Sequence, residues 1–194
     1  MIISMSDKSI YGKMIAVTDR KLCRGDFISQ IKKIAALHPC GLILRERDLG
    51  EEEYVQLSAR VQEICRGEEI PFFVHGRISA ARRIRCRNLH LPLAVLKEQG
   101  GKPEDIEFLS VSCHSPEDVR QAEMLGADRI ILGTIFPTDC KPGLAGKGIP
   151  FVREICSGTA LPVFAIGGIS PANIGAVLEA GAAGGCMMSG FMKL

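Results

Sequence analysis

Four histidines, two arginines flanking a glutamate, and a lysine in a glycine-rich loop are the groups in this sequence whose placement could support chemistry. His114 stands between an apolar run with β-branched content, Phe108–Ser112, and the helix start Ser115-Pro116-Glu117-Asp118. A serine N-cap, a proline at the first helical position and acids at the positive end of the dipole mark that start. An imidazole with an ordinary pKa near ~6.5 takes and returns a proton at neutral pH, so His114 is the candidate general acid–base. Ser112 lies one alternation back on the same side of the strand. His75 directly follows the apolar run Pro71–Val74. His90 alternates with Leu89 and Leu91, which suits a satisfied interior histidine as well as a functional one. His38 precedes Pro39 at a helix end and reads as structural.

Arg45 and Arg47 flank Glu46 just after the run Gly41–Leu44. Alternation lets both arginines face one way toward an anion, and a local ion pair with Glu46 or Asp48 is the other reading. Thr138 and Lys141 lie in the loop before Gly148, where the lysine is either solvated or an anion contact. Gly167-Gly168 and Met188-Ser189-Gly190 each follow an apolar run near the C-terminus. Backbone N–H groups of two such loops can cradle a phosphate, because glycine lets the chain approach the oxygens. Gly167, Gly168, Met188 and Ser189 are therefore the candidate phosphate contacts, with Met188 acting through its backbone.

The elements that must position these groups alternate along the chain. Strands are expected at Met14–Thr18, Gly41–Leu44, Pro71–Val74, Asn88–Leu91, Phe108–Ser112, Arg129–Gly133, Pro162–Ile166 and Cys186–Met188. Between them run helices capped by Asp26, led by Glu51 (with Tyr54, Leu57, Val61 and Ile64 on one face), or started by Ser115 and Ser170. Lys97–Glu107 reads as a polar connection. Eight such units predict a compact single-domain (β/α)8 TIM barrel over residues 1–194, with the site at the strand C-termini and a truncated or missing final helix. Residues 1–13, or a second subunit in a homodimer, are the candidate covers for apolar surface that the short ending would leave.

Composition narrows the function classes. A formal charge of +2 does not argue for nucleic acid, and the basic stretch Arg77, Arg82, Arg83, Arg85 and Arg87 carries no interleaved aromatics, so it reads as a solvated helix face. The eight cysteines form no Cys-x-x-Cys pair and read as free thiols of a reducing compartment. No apolar run approaches the ~20 residues of a membrane span, and no secretory leader is evident, so the expected location is cytoplasmic.

Five motifs carry a resemblance: LRERD at Leu44–Asp48, HSPED with QAE and GAD downstream, GTIFPTDCKPGLAGKG at Gly133–Gly148, AIGGISP at Ala165–Pro171, and MMSG at Met187–Gly190. Together they resemble the thiamine phosphate synthase superfamily over nearly the whole chain. Two branches share that barrel. The synthase joins a pyrimidine diphosphate to a thiazole phosphate using magnesium; the thiazole tautomerase moves a proton to aromatise a carboxythiazole phosphate. The resemblance implies an Asn-Asp pair after strand three in the synthase, where this chain has His75-Gly76, and a second acidic ligand after strand four, where it has Val95. Ile43 and Arg47 replace the synthase's glutamine and lysine, and Thr138-Asp139-Cys140-Lys141 replaces its Thr-x-Thr-Lys. The tautomerase branch has its acid–base histidine where His114 falls.

The expected function is thus a thiazole tautomerase-like isomerase with catalytic His114. Its substrate contacts would be Arg45, Arg47, His75, Ser112, Thr138 and Lys141, with no metal and no cofactor. The alternatives are thiamine phosphate synthase and a catalytically silent phosphate-ligand barrel. A sugar-phosphate isomerase would need a second acid–base member that the sequence does not supply.

Overall fold

The computed structural model describes residues 10–138, 143 and 145–194. Eight short strands alternate with helices, and their order is that of a closed parallel barrel, β1 to β8 in sequence. They are β1 Met14–Val17, β2 Gly41–Leu44, β3 Phe72–His75, β4 Asn88–Pro92, β5 Phe108–Cys113, β6 Arg129–Gly133, β7 Val163–Ile166 and β8 Gly184–Met187. The helices are α1 Phe27–Ala35, α2 Glu51–Gly67, α3 Ile78–Arg83, α4 Leu93–Glu98, α5 Pro116–Met124, α6 Gly148–Ser157, α7 Ile174–Glu179 and α8 Ser189–Met192. β1, β2, β6 and β8 are buried at every position. That is why they read as continuous apolar runs and not as alternating ones.

Two compact units divide the chain, Met1–Leu89 with Met188–Leu194 and His90–Met187. In the first, β1 pairs with β2 (Ile15 opposite Gly41) and β2 with β3 (Leu42 opposite Phe72). Its core holds Ile15, Ile31, Ile34, Leu42, Leu44, Phe73 and Phe191, all essentially inaccessible to water. Asp26 caps α1 by accepting the Ser29 N–H at 2.7 Å. The Tyr11 ring packs against Phe191 of the four-residue α8, so the chain just ahead of β1 covers part of the residual last helix. In the second unit β5 to β8 pair in succession, with Ser112 opposite Ile131 and Ile166 opposite Cys186. Ser115 caps α5 by accepting the Asp118 N–H at 3.1 Å, with Pro116 opening the helix.

Three expectations change. A helix not expected from the sequence, α4, precedes the polar connection Lys97–Glu107 and takes in its first two residues, with Leu93 and Leu96 buried. Six residues are too few for a helical period to show in the sequence. The buried face of α2 is Tyr54, Ser58, Val61 and Cys65, while Leu57 and Ile64 are only half-buried. Small Ser58 and Cys65 allow the close approach that larger apolar residues would block. Six of the eight strands also shift at one or both ends by a residue or two. The described cysteines are all free; burial pushes the Cys65 and Cys113 thiols up to about 12, so both are protonated, unreactive core groups.

Candidate active site

The first unit carries a cationic cluster at the ends of β2 and β3. Glu46 organises the β2 end from a position only 3 % exposed. It accepts the Thr18 hydroxyl at 2.6 Å, the Arg20 N–H at 3.0 Å and an Arg20 guanidinium N–H at 3.1 Å. Thr18 in turn accepts the Arg45 N–H at 3.0 Å. The ion pair envisaged between Arg45 or Arg47 and Glu46 or Asp48 is therefore not the one formed. Arg20 takes both carboxylates, reaching Asp48 at 2.6 Å, while Arg45 reaches Asp19 at 3.5 Å and the Met188 sulfur at 3.9 Å. The Arg47 guanidinium is held below its usual pKa by desolvation and by the charge of Arg45.

His75 ends β3, and its N–H donates to the Tyr54 hydroxyl at 3.0 Å; that hydroxyl donates to the Leu44 carbonyl at 2.6 Å. Burial, followed by the charges of Arg45 and Arg47, lowers the His75 pKa to about 4. It is thus a neutral imidazole among arginines. Arg77 lies over the Tyr54 ring at 4.5 Å and bonds the Leu49 carbonyl at 2.6 Å.

The second unit carries the proton-transfer candidate. His114 is exposed just beyond β5, and its N–H donates to Asp118 at 2.7 Å. Its Nδ1 lies 2.8 Å from the Gly133 carbonyl. A carbonyl only accepts, so Nδ1 carries the proton and the neutral ring presents a bare Nε2. Gly133 packs tightly against β7, where a Cβ on it would stand 2.5 Å from Ile166 Cγ2. Lys147 caps the arrangement by donating to the His114 carbonyl. Ser112 is half-buried and bonds His90 Nε2 at 2.8 Å, and His90 Nδ1 meets Ser110 Oγ at 2.5 Å.

Gly167 and Gly168 leave β7 at φ of +101° and +63°. A Cβ on Gly167 would fall 2.4 Å from Thr134 Cγ2, so glycine there serves the close packing of the segment after β6 as well as any ligand. The Gly167 carbonyl accepts the Phe136 N–H and the Gly168 carbonyl accepts the Asn173 amide, which leaves the two glycine amides outside these bonds. Met188 and Ser189 directly follow β8, the strand paired with β7. Thr138 is half-exposed on the segment after β6, and Lys141 lies outside the described residues.

The magnesium ion that the synthase branch implies does not fit these residues. Gly76 supplies no side chain where the resemblance asks for a carboxylate, and a Cβ there would meet nothing within 4 Å. The segment from Leu91 to Lys97 contains no acid and folds partly into α4, with Val95 half-buried. Among the described residues no three His, Cys, Asp or Glu side chains come together as a metal group. A hard divalent cation wants several oxygen ligands.

Fold and placement define an α/β barrel with its ionisable groups at strand C-terminal ends, the active face of such enzymes. Residues 14–191 match the family model described as thiamine monophosphate synthase, and the chain belongs to that family. It is 34 % identical to a thiamine-phosphate synthase of Desulfitobacterium hafniense strain Y51 over 194 aligned residues, covering 96 % of this chain and 90 % of that one. A thiamine-phosphate synthase of Caldanaerobacter subterraneus is 31 % identical, covering 86 % and 79 %. The solved thiamine phosphate pyrophosphorylase of Pyrococcus furiosus superposes with a TM-score of 0.79 at 23 % identity, covering 97 % of this chain and 90 % of that one, and shares its fold.

Lys147 is the site group that sequence reasoning does not single out, and for Glu46 and His90, which it does name, it does not foresee the partners. Their partners stand 20 to 33 residues away, as in Thr18–Glu46, His90–Ser110 and Lys147–His114, and no local pattern announces such contacts.

Proposed function

We propose that this chain is an acid–base isomerase of the thiazole tautomerase type within its family, acting on a carboxythiazole phosphate. The carrying observation is His114, with Nδ1 locked on the Gly133 carbonyl and Nε2 left as the base. Nε2 takes the proton from one carbon of the ring system, the imidazolium holds it, and the same nitrogen returns a proton at another carbon. Aromatisation is downhill, so the reaction needs a lowered barrier and no cofactor. General acid–base assistance of this kind contributes about 10²–10⁴-fold. Arg45, Arg47, Thr138 and Lys141 are the proposed carboxylate contacts, and the amides of Gly167, Gly168, Met188 and Ser189 the proposed phosphate contacts. Neutral His75 adds a polar contact without adding charge.

The names of the relatives favour a second reading, thiamine phosphate synthase. The two readings part on metal. Purified protein is given the carboxythiazole tautomer, and separately the pyrimidine diphosphate with thiazole phosphate, each with magnesium and with EDTA. The expected result is tautomer turnover unaffected by EDTA. Magnesium-dependent condensation without tautomer turnover would establish the synthase instead, and binding of thiazole phosphate with neither turnover would mark a silent barrel.

A further inference from the structure

His114 offers a backbone N–H, a backbone carbonyl and two ring nitrogens, and all but one of these are held. Its N–H donates to Asp118 at 2.7 Å, Nδ1–H donates to the Gly133 carbonyl at 2.8 Å, and its own carbonyl accepts from the Lys147 ammonium. Among the described residues Nε2 alone is left open. Two of the holds are local to the barrel: Asp118 lies in α5, which starts just after His114, and Gly133 ends β6, the strand paired with β5.

The third hold comes from farther along the chain. Lys147 stands where the loop after β6 returns to the start of α6. Its N–H donates to the Thr134 carbonyl at 3.0 Å, and the Gly148 N–H donates to the Ile135 carbonyl at 2.9 Å. A Cβ on Gly146 would stand 2.4 Å from the Ile135 carbonyl oxygen, so the two ends of this loop run tightly side by side. The loop carries Thr138 and Lys141 in its sequence. Among the described residues the Lys147 ammonium pairs with no acid; it lies over the Phe151 ring at 4.5 Å and reaches the His114 carbonyl. Although the side chain is exposed, it is braced on an aromatic face and on a charge-assisted bond to one peptide.

The N–H and the carbonyl of His114 belong to the two peptide planes that flank its Cα. Holding both planes fixes the direction in which Cβ carries the ring. Resting on the reading above that His114 is the acid–base group, we infer that Lys147 is a positioning residue for it. Lys147 ties the return of the loop after β6 to the peptide of the base. Nδ1 then stays on Gly133, and Nε2 keeps one direction while the proton is taken and returned. Misplacing a reacting group by an ångström can cost about a hundredfold in rate, which is what such a tie protects against. A long cation serves this role, and an uncharged side chain of the same length does not.

The full chain tests this with Lys147→Met, which keeps length and removes the charge, and Lys147→Arg, which keeps both. Nitrogen-15 NMR of histidine-labelled protein at about pH 8, where imidazole is neutral, reads the ring directly. With the His114 signal assigned by its absence in His114→Asn, wild type should show Nδ1 protonated and Nε2 bare. In Lys147→Met the ring should become a mixture of the two tautomers, and in Lys147→Arg the single form should return. With carboxythiazole phosphate as substrate, Lys147→Met should lower kcat about thirtyfold with KM within about threefold, and Lys147→Arg should stay within about threefold of wild type. Phe151→Leu, which removes only the face under the ammonium, should lower kcat about threefold. A single tautomer retained in Lys147→Met would overturn the inference. So would a raised KM at unchanged kcat, which would make Lys147 a ligand contact, or a lowered melting temperature with kcat of the folded variant unchanged, which would make it merely structural. Wild type without tautomer turnover removes the functional reading, and the nitrogen shifts of wild type and Lys147→Met then decide the positioning by themselves.

Discussion

Two histidines, one in each unit, stand at strand ends of similar design and face opposite circumstances. His75 closes β3, His114 follows β5, and each stands just before a helix. His75 is half-buried among Arg45, Arg47 and Arg77, with its pKa lowered to about 4. His114 is exposed, one nitrogen committed to a carbonyl and the other open. A group that stays neutral throughout the neutral range can hold a hydrogen bond but cannot hold a proton for later return. Position at a strand end is thus not sufficient for acid–base work. The surrounding charges and the partner of the second nitrogen decide which histidine can do it.

The largest expected effect tests the foundation of the His75 region. Glu46→Ala leaves the buried Thr18 hydroxyl and the Arg20 backbone N–H without their acceptor, while the Arg20 guanidinium keeps Asp48, and should cost about 3 kcal/mol of folding stability in urea unfolding. A loss under about 1 kcal/mol would mean that the β1 and β2 ends hold themselves together without it. The comparison itself is tested next. His114→Asn should reduce tautomer turnover at least about a hundredfold, near 2.7 kcal/mol of barrier, with little change in phosphate-ligand affinity. His75→Asn should keep turnover within about tenfold. The reverse ranking would exchange the two roles.

Much of this fold was legible because the strands are buried on both faces, so that β2 and β6 stand out as uninterrupted apolar runs with bounds read to the residue. The caps at Asp26 and Ser115 were legible for a local reason: each acceptor and its amide lie three residues apart. What escaped was non-local. Glu46 looked like a partner for its neighbours Arg45 and Arg47, yet its donors, Thr18 and Arg20, come from the segment just after β1. His114 could be picked out by its place, but not the Gly133 carbonyl, 19 residues away, that sets its tautomer. Gly167 was legible as a glycine with a purpose; that the purpose includes clearance for Thr134 needed coordinates.

The His75 environment also predicts a pH response smaller than either substitution. The folded-state pKa, about 4, lies below the ordinary unfolded value near 6.5, so the unfolded chain binds the proton more readily. Stability contributed by neutral His75 is complete above about pH 6.5 and declines as the pH falls toward 4, by about 2 kcal/mol after allowance for partial exposure. The difference in unfolding free energy between wild type and His75→Asn, followed from pH 7.5 to 4.5, should shrink across that window. A constant difference would show that the arginines do not press on this ring.

The smallest effects separate the two ends of the basic helix region, and they bear on whether it is a binding surface. Arg77 is built into the first unit: it lies over Tyr54, bonds the Leu49 carbonyl and pairs with Glu51 at 3.3 Å. Arg83 pairs with Glu52 at 2.8 Å, with side chains 46 % and 62 % exposed. Exposed pairs of that kind contribute about 0–1 kcal/mol, because water screens the charges and two long side chains must be held still. Arg77→Ala should therefore cost about 1–2 kcal/mol through the lost ring contact and carbonyl bond, and Arg83→Ala under about 0.5 kcal/mol. The acids Glu51 and Glu52 at the start of α2 already neutralise part of this stretch, so a labelled DNA duplex at low salt should show no saturable binding by fluorescence anisotropy. Saturable binding that Arg83→Ala weakens, with stability unchanged, would turn the stretch from a paired helix surface into a phosphate-binding face.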